Sequence, residues 1–177
     1  PAAANGLTGM SPTFGRVSRF GAMPMSFSLD VMGPLARTAQ DCARLLGSIA
    51  GRDGKDASSS RERVPDYEGG LMRSIVGLRV GVPEGYFDED LDDDVARLIE
   101  ESLDVFKSRG ARILQVKMSD IVNKVAEIHP LVMKAEGSAN HGAWKRARPE
   151  DYSEEVGKRL EAGFFIPAGD YINALQY

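Results

Sequence analysis

The sequence is poor in several residue types that decide function classes. It has one cysteine, two histidines and one tryptophan in 177 residues. A single cysteine excludes an internal disulfide and suits a reducing compartment, so the expected location is the cytoplasm. His129 and His141 have no third ligand set around them, so no metal is expected, and no other cofactor. No run of ~18 apolar residues exists, so no membrane span is expected. A net charge of −4 lacks the concentration of Lys and Arg that direct nucleic-acid binding needs. Neither G-x-x-x-x-G-K-[ST] nor G-x-G-x-x-G occurs, which removes the common phosphate loops.

What is present is ordinary for a globular protein: 42% hydrophobic and 27% charged residues. The length is one domain's worth of chain, or a large piece of a bigger one. From Ala2 to Arg37 the sequence is dense in Gly and Pro yet remains apolar. Such a stretch threads backbone through a core rather than linking domains through solvent.

Downstream, local signals define elements. Pro1–Gly6 reads as helical turns ended by Gly6, and 7–19 as short extended pieces. Thr38 and Asp41 form a variant capping box for a helix over 38–50, with Cys42 on its buried stripe and Gly51 past its end. A buried cysteine with no neighbouring base is inert. Residues 52–64 are polar and read as a surface loop, and Ser58, Ser59 and Ser60 lack the setting of a nucleophile. Leu78–Val82 is a strand ended by Pro83, 93–109 a helix, and 111–116 a second strand. Together 78–116 make a β-α-β unit with a parallel pair. The acidic run 88–94 fails as a Ca²⁺ loop, because Asp93 stands where Gly is needed and Ile99 where Glu is needed. Residues 119–141 are helical in pattern, with Pro130 expected to kink or divide them. Ser153 caps a helix through Leu160, and another begins at Gly169. The fold class is α/β: a mixed twisted sheet flanked by helices, with helices 38–50 and 93–109 packed on strands 78–82 and 111–116.

Residues 1–21, PAAANGLTGMSPTFGRVSRFG, and 28–53, SLDVMGPLARTAQDCARLLGSIAGRD, resemble the amidase signature family just after its nucleophile. That family follows G-G-S-[IV]-R-x-P with G-x-x-G-x-K-P-T-x-G-R-V-S and S-x-D-x-x-G-P-x-x-R. Ser11 departs from the pattern at the Lys position. LRVGVPEGYF agrees more weakly. The resemblance implies a hydrolase of small-molecule amides that uses Ser, a cis-Ser and Lys, with no metal. It implies that residues 1–177 are an internal fragment of one amidase domain: motif segment 1–51, loop 52–64, unit 78–116 and helical segment 119–177. The triad then lies upstream of Pro1, and no catalytic residue is expected here. Phe20, Met25 and Phe27 are the expected acyl-pocket wall, with His129 and Arg159 as polar ends. Unpaired strand edges favour a homo-oligomer.

Two branches of the family compete, with a non-catalytic binding or assembly module as a third alternative. A general amidase is favoured over the A subunit of a glutamyl-tRNA(Gln) or aspartyl-tRNA(Asn) amidotransferase. His129-Pro130 precedes Ala135-Glu136-Gly137-Ser138 where that branch has an aromatic pair before A-E-x-S. Residues 141–149 also lack its R-Y-D-G-V-R-Y-G pattern, whereas Arg159 falls near its glutamine-binding Arg.

Overall fold

A computed structural model of the chain describes residues 1–85, 91–118 and 120–177. Asp88 and Asp90 of the acidic run, and Ser119, lie outside the described residues. The architecture is α/β, and among the described residues the strands form two two-stranded sheets, one antiparallel and one parallel. One compact unit comprises residues 1–72 and 126–177, the other residues 73–125.

In the first unit, a short 3-10 turn over Ala3–Asn5 ends at Gly6, whose φ of 62° is left-handed as a terminating glycine requires. Strand β1 (Thr8–Gly9) pairs antiparallel with β2 (Leu35–Ala36). Helix α1 (Ala39–Ile49) follows at once, capped by Thr38, whose hydroxyl oxygen accepts from the Asp41 N–H and donates to the Asp41 carboxylate. α1 packs on β1 and β2 instead of the later strands. The reason is covalent: β2 runs straight into the cap, so the helix folds back over the strand pair that precedes it. Cys42 is fully buried there, its thiol against the Thr8 and Pro34 carbonyls.

Helix α3 (Asp120–Ala147) is continuous through Pro130, so the expected break does not occur. The proline removes only the N–H that would bond the Ala126 carbonyl. The turns beyond Pro130 are tied to the rest of the unit through Glu136, Asn140 and His141, as described below. Helix α4 (Glu154–Gly163), capped by Ser153, crosses α3 closely. Ser138 Oγ donates to the Lys134 and Leu160 carbonyls. Helix α5 (Ala168–Ala174) completes the unit.

The second unit is the β-α-β unit read from the sequence. Strand β3 (Arg79–Glu84) and strand β4 (Arg112–Lys117) are parallel neighbours, with Arg79 opposite Arg112 and Glu84 opposite Lys117. β3 continues through Pro83 rather than ending before it. A strand with only one neighbour tolerates a missing N–H on its free side. Helix α2 (Asp93–Ser108), capped by Asp92, lies on β4. Its stripe of Val95, Leu98, Ile99 and Phe106 stays 38–53% exposed, because two strands cannot cover it. Among the described residues no helix is long and apolar enough to cross a membrane.

Two glycine-to-alanine changes test the helix packing. A Cβ on Gly163 would sit 1.9 Å from Ser138 Oγ and 2.0 Å from the Lys134 carbonyl oxygen. Gly163→Ala should therefore cost at least ~2 kcal/mol in urea unfolding. Gly47 lies exposed in α1 with nothing within 4 Å of its would-be Cβ. Gly47→Ala should stabilise by roughly 0.5–1 kcal/mol. A Gly163→Ala protein as stable as the parent would refute the close crossing.

Candidate functional site

Residues 15–30 have almost no regular structure, so side chains must satisfy their backbone polar groups. Two polar clamps do this. The first grips residues 15–19. Gly15 has a φ of 77°, and a Cβ there would meet the Ser58 carbonyl oxygen at 2.4 Å, so only glycine fits. The Ser60 N–H donates to the Gly15 carbonyl at 2.7 Å, and Val17 bridges Ala50. Arg16 donates to the carbonyls of Glu62 and Arg63. Ser18 Oγ donates to Asp53 at 2.7 Å. The Asp56 carboxylate accepts from the Arg19 N–H at 2.8 Å, and the Arg19 guanidinium reaches Ser58 Oγ and the Phe27 carbonyl while lying 4.6 Å from the Phe14 ring centroid.

These bonds set the charge state of the clamp. The Ser58 hydroxyl and the Arg19 N–H hold Asp56 below the usual carboxylate range. The Lys55 N–H and the Ser18 hydroxyl do the same for Asp53. Residues 52–64 thus form an irregular segment in which Ser59 is buried and bonded to the Asp53 and Asp56 carbonyls.

The second clamp grips residues 24–28 and comes from one stretch of α3. His141 Nε2–H donates to the Pro24 carbonyl at 2.8 Å, which leaves Nδ1 to accept the Tyr152 hydroxyl. Asn140 donates to the Met25 carbonyl at 3.0 Å. Asp30 turns back to accept the Met25 and Ser26 N–H groups. Glu136, 1% exposed, takes the rest. Its Oε2 accepts Ser26 Oγ at 2.5 Å and the Ser28 N–H at 3.0 Å, and its Oε1 accepts Ser28 Oγ at 2.6 Å and the Tyr171 hydroxyl at 2.8 Å. Burial pushes the Glu136 carboxyl up, but the Ser26, Ser28 and Tyr171 donors outweigh it and hold the group below its ordinary value. The Tyr171 phenol is pushed up to about 12, by burial first and then by the Glu136 bond and charge.

Between the clamps lies a cavity of about 260 Å³ walled by Phe20, Met23 and Phe27, with Arg19, Asp30 and Lys55 at its polar edge. The Lys55 ammonium sits 4.9 Å from the Phe20 ring centroid. Of the five residues expected to line a site, Phe20 and Phe27 meet here, 61% and 55% exposed. Met25 does not line the cavity; its sulfur instead approaches Gly137, where a Cβ would lie 3.1 Å away. His129 is exposed on α3. Arg159 is exposed on α4 and paired with Glu155 at 2.5 Å. Sequence reasoning gave Glu136 no role. A signal existed: Glu136 sits among Ala135, Gly137, Ser138 and Ala139, small residues that let a neighbouring backbone approach a helix.

A protein-family model, described as Amidase, matches residues 1–174. The A subunit of the glutamyl-tRNA(Gln) amidotransferase of Alkalilimnicola ehrlichii is 37% identical over 193 aligned positions, covering 98% of this chain and 40% of the relative. A solved chain from a vestigial protein complex, described as revealing the origins of an s-triazine catabolic enzyme, superposes with a TM-score of 0.85. It is 29% identical, with 97% of this chain and 36% of that one covered. The corresponding amidotransferase A subunit of Thermotoga maritima superposes at 0.71, also 29% identical, over 97% of this chain and 35% of that one. The chain thus spans about 40% of the length of the curated relatives it matches.

The clamp makes a spectroscopic prediction. Tyr171 has its pKa raised from an unfolded value of about 10, so the stability from this shift is complete below pH ~10 and is lost as pH rises through about 12. In an absorbance titration at 295 nm, Tyr171→Phe should remove the latest tyrosinate step. For Glu136 the sign reverses: its contribution is present above the ordinary Glu range and falls away as pH drops through its lowered value. A Tyr171 that titrates near pH 10 would show the clamp is absent.

Proposed function

Because this chain belongs to the Amidase family, we propose that it forms the acyl-pocket side of a hydrolase cleaving carboxamide C–N bonds. The observation that carries the reading is the Phe20–Met23–Phe27 cavity. It stands on the segment that the family resemblance puts directly after the nucleophile.

In this reading a serine from the G-G-S-[IV]-R motif attacks the amide carbonyl. The proton relayed by Lys and the cis-Ser goes to the leaving amine, and water then hydrolyses the acyl-serine. This chain's own residues bind and orient. Phe20, Met23 and Phe27 present an apolar wall to the acyl group and exclude water from it. The two clamps hold that wall rigid, so binding energy goes into orientation.

A second reading is a glutamine amidase acting as an amidotransferase A subunit, favoured by the relatives of that name at 37% identity. Against it, Arg159 is exposed and paired with Glu155, away from the cavity lining. For assembly, the uncovered stripe of α2 and the single-neighbour strands β3 and β4 support a homo-oligomer. The lone buried thiol of Cys42 supports a cytoplasmic setting.

Ammonia release tests the reading. The protein carrying this chain together with the G-G-S-[IV]-R segment should hydrolyse apolar carboxamides, whereas residues 1–177 alone should release none. Phe27→Ala should lower kcat/KM for a bulky aromatic acyl amide roughly tenfold or more relative to a small aliphatic one. Met25→Ala should instead cost roughly 2 kcal/mol of stability and leave the substrate ranking unchanged. Preference for free glutamine over every apolar amide would favour the amidotransferase reading.

A further inference from the structure

We propose that Glu136 is a positioning residue for substrate selection: through Ser26 and Ser28 it aims Phe27 into the cavity. The inference rests on the amidase reading for its substrate and on the structure alone for its geometry.

Phe27 is the residue between the two serines that Glu136 holds. Ser26 Oγ, the Ser28 N–H and Ser28 Oγ all end on one carboxylate, at 2.5, 3.0 and 2.6 Å. With both flanking residues turned inward, the intervening side chain is left to face the cavity, which it lines. The Phe27 carbonyl is fixed separately by the Arg19 guanidinium. Asp30 holds the same turn from its other side through the Met25 and Ser26 N–H groups. The backbone around Phe27 is therefore bound before, at and after the residue, and two of those holds depend on Glu136.

The carboxylate suits the task better than its amide would. Each of its oxygens accepts two donors. One of the four is a backbone N–H, which cannot reverse its role, whereas three are hydroxyls, which can. Glutamine can keep its oxygen on the Ser26 hydroxyl and the Ser28 N–H and turn its nitrogen to the Ser28 and Tyr171 hydroxyls. Alanine keeps nothing. The expected order of disturbance is Glu136→Ala greater than Glu136→Gln, with Tyr171→Phe least, since the Tyr171 hydroxyl bonds Glu136 and not the loop segment 26–28.

The experiment compares kcat/KM for an aromatic and an aliphatic acyl amide in the full-length protein that carries this chain. Glu136→Ala should shift the ratio in the same direction as Phe27→Ala, by roughly tenfold, with Glu136→Gln restoring most of it. If Glu136 acts through Phe27, adding Glu136→Ala to Phe27→Ala should move the ratio no further. Equal losses for both substrates, or full additivity in the double variant, would overturn the proposal and leave Glu136 as packing alone. Should Glu136→Ala fail to fold, Ser28→Ala carries the same comparison, since Ser28 is held by Glu136 through both its N–H and its hydroxyl. A second readout does not depend on turnover. With Phe27→Trp in a Trp144→Phe background, adding Ser28→Ala should change the emission maximum and acrylamide quenching of the reporter, whereas adding Glu136→Gln should change them least. If the parent hydrolyses no amide, the amidase reading fails and the fluorescence still decides the positioning; unchanged emission would overturn it.

Discussion

A carboxylate buried without a cation is costly, and the first unit is arranged around one. Among the described residues no Lys or Arg is paired with Glu136, so neutral donors must replace water. Desolvating an ion costs several kcal/mol, and hydrogen bonds to a charged group return about 1.5–3 kcal/mol each. Four such bonds are enough to keep the group ionised, in line with its lowered pKa. The arrangement also makes each donor dependent on the rest. Removing the carboxylate strands the buried Ser26 hydroxyl and takes their shared partner from the half-buried Ser28 and Tyr171. The loop 24–30, helix α3 and helix α5 all meet at this carboxylate, and Asn140 and His141 bind the loop to α3 beside it.

The Arg19–Asp56 clamp works by the opposite charge logic, with a cation and an anion sharing one half-buried site. The Arg19 guanidinium bonds a hydroxyl and a carbonyl, lies against an aromatic face and pairs with the Asp56 carboxylate at 3.9 Å, while the Arg19 backbone N–H bonds that carboxylate directly. A planar guanidinium with five fixed donors suits that many partners, and an ammonium would not. Both clamps are polar, whereas the surface they present is apolar. Side chains replace the hydrogen bonds that a sheet would supply, which lets Phe20, Met23 and Phe27 face the cavity instead of a neighbouring strand. This explains how a stretch rich in Gly and Pro stays ordered without regular structure.

Local signals in the sequence were readable where the interaction is local. Thr38 and Asp41 are three residues apart, as are Ser153 and Val156, and both caps form. The parallel pairing of β3 with β4 followed from a strand, helix and strand of matching length. Pro83 and Pro130 misled because each rule concerns an isolated element. A strand free on one side and a helix tied along its later turns tolerate a missing N–H. The Glu136 clamp was not readable by any local rule, since its serine partners lie 108 and 110 residues away. The small residues around Glu136 indicated close approach without saying to what. Phe20 and Phe27, which the family resemblance singled out, line one cavity. Met25, two residues before Phe27, instead turns its sulfur toward Gly137 of α3, where the close approach of the helix gives it a neighbour.

The distribution of charge at the cavity bears on which amide the site would accept. A substrate with a free carboxylate, such as glutamine, needs a cation whose own bonds are not already made. Arg19 lines the cavity, but its charge is met by Asp56 at 3.9 Å and its two terminal nitrogens are bonded to Ser58 and the Phe27 carbonyl, which leaves only the buried Nε without a hydrogen bond among the described residues. Arg159 is exposed on α4 and paired with Glu155. Lys55 remains: its ammonium lies over the Phe20 ring and carries no ion pair among the described residues. One ammonium facing the Asp30 and Asp56 carboxylates across the same cavity is a weak anion site, because the nearby negative charges oppose the incoming one. An uncharged apolar acyl group meets no such opposition and buries against Phe20, Met23 and Phe27. If the proposed amidase reading holds, electrostatics and apolar contact on this part of the wall favour the same class of substrate.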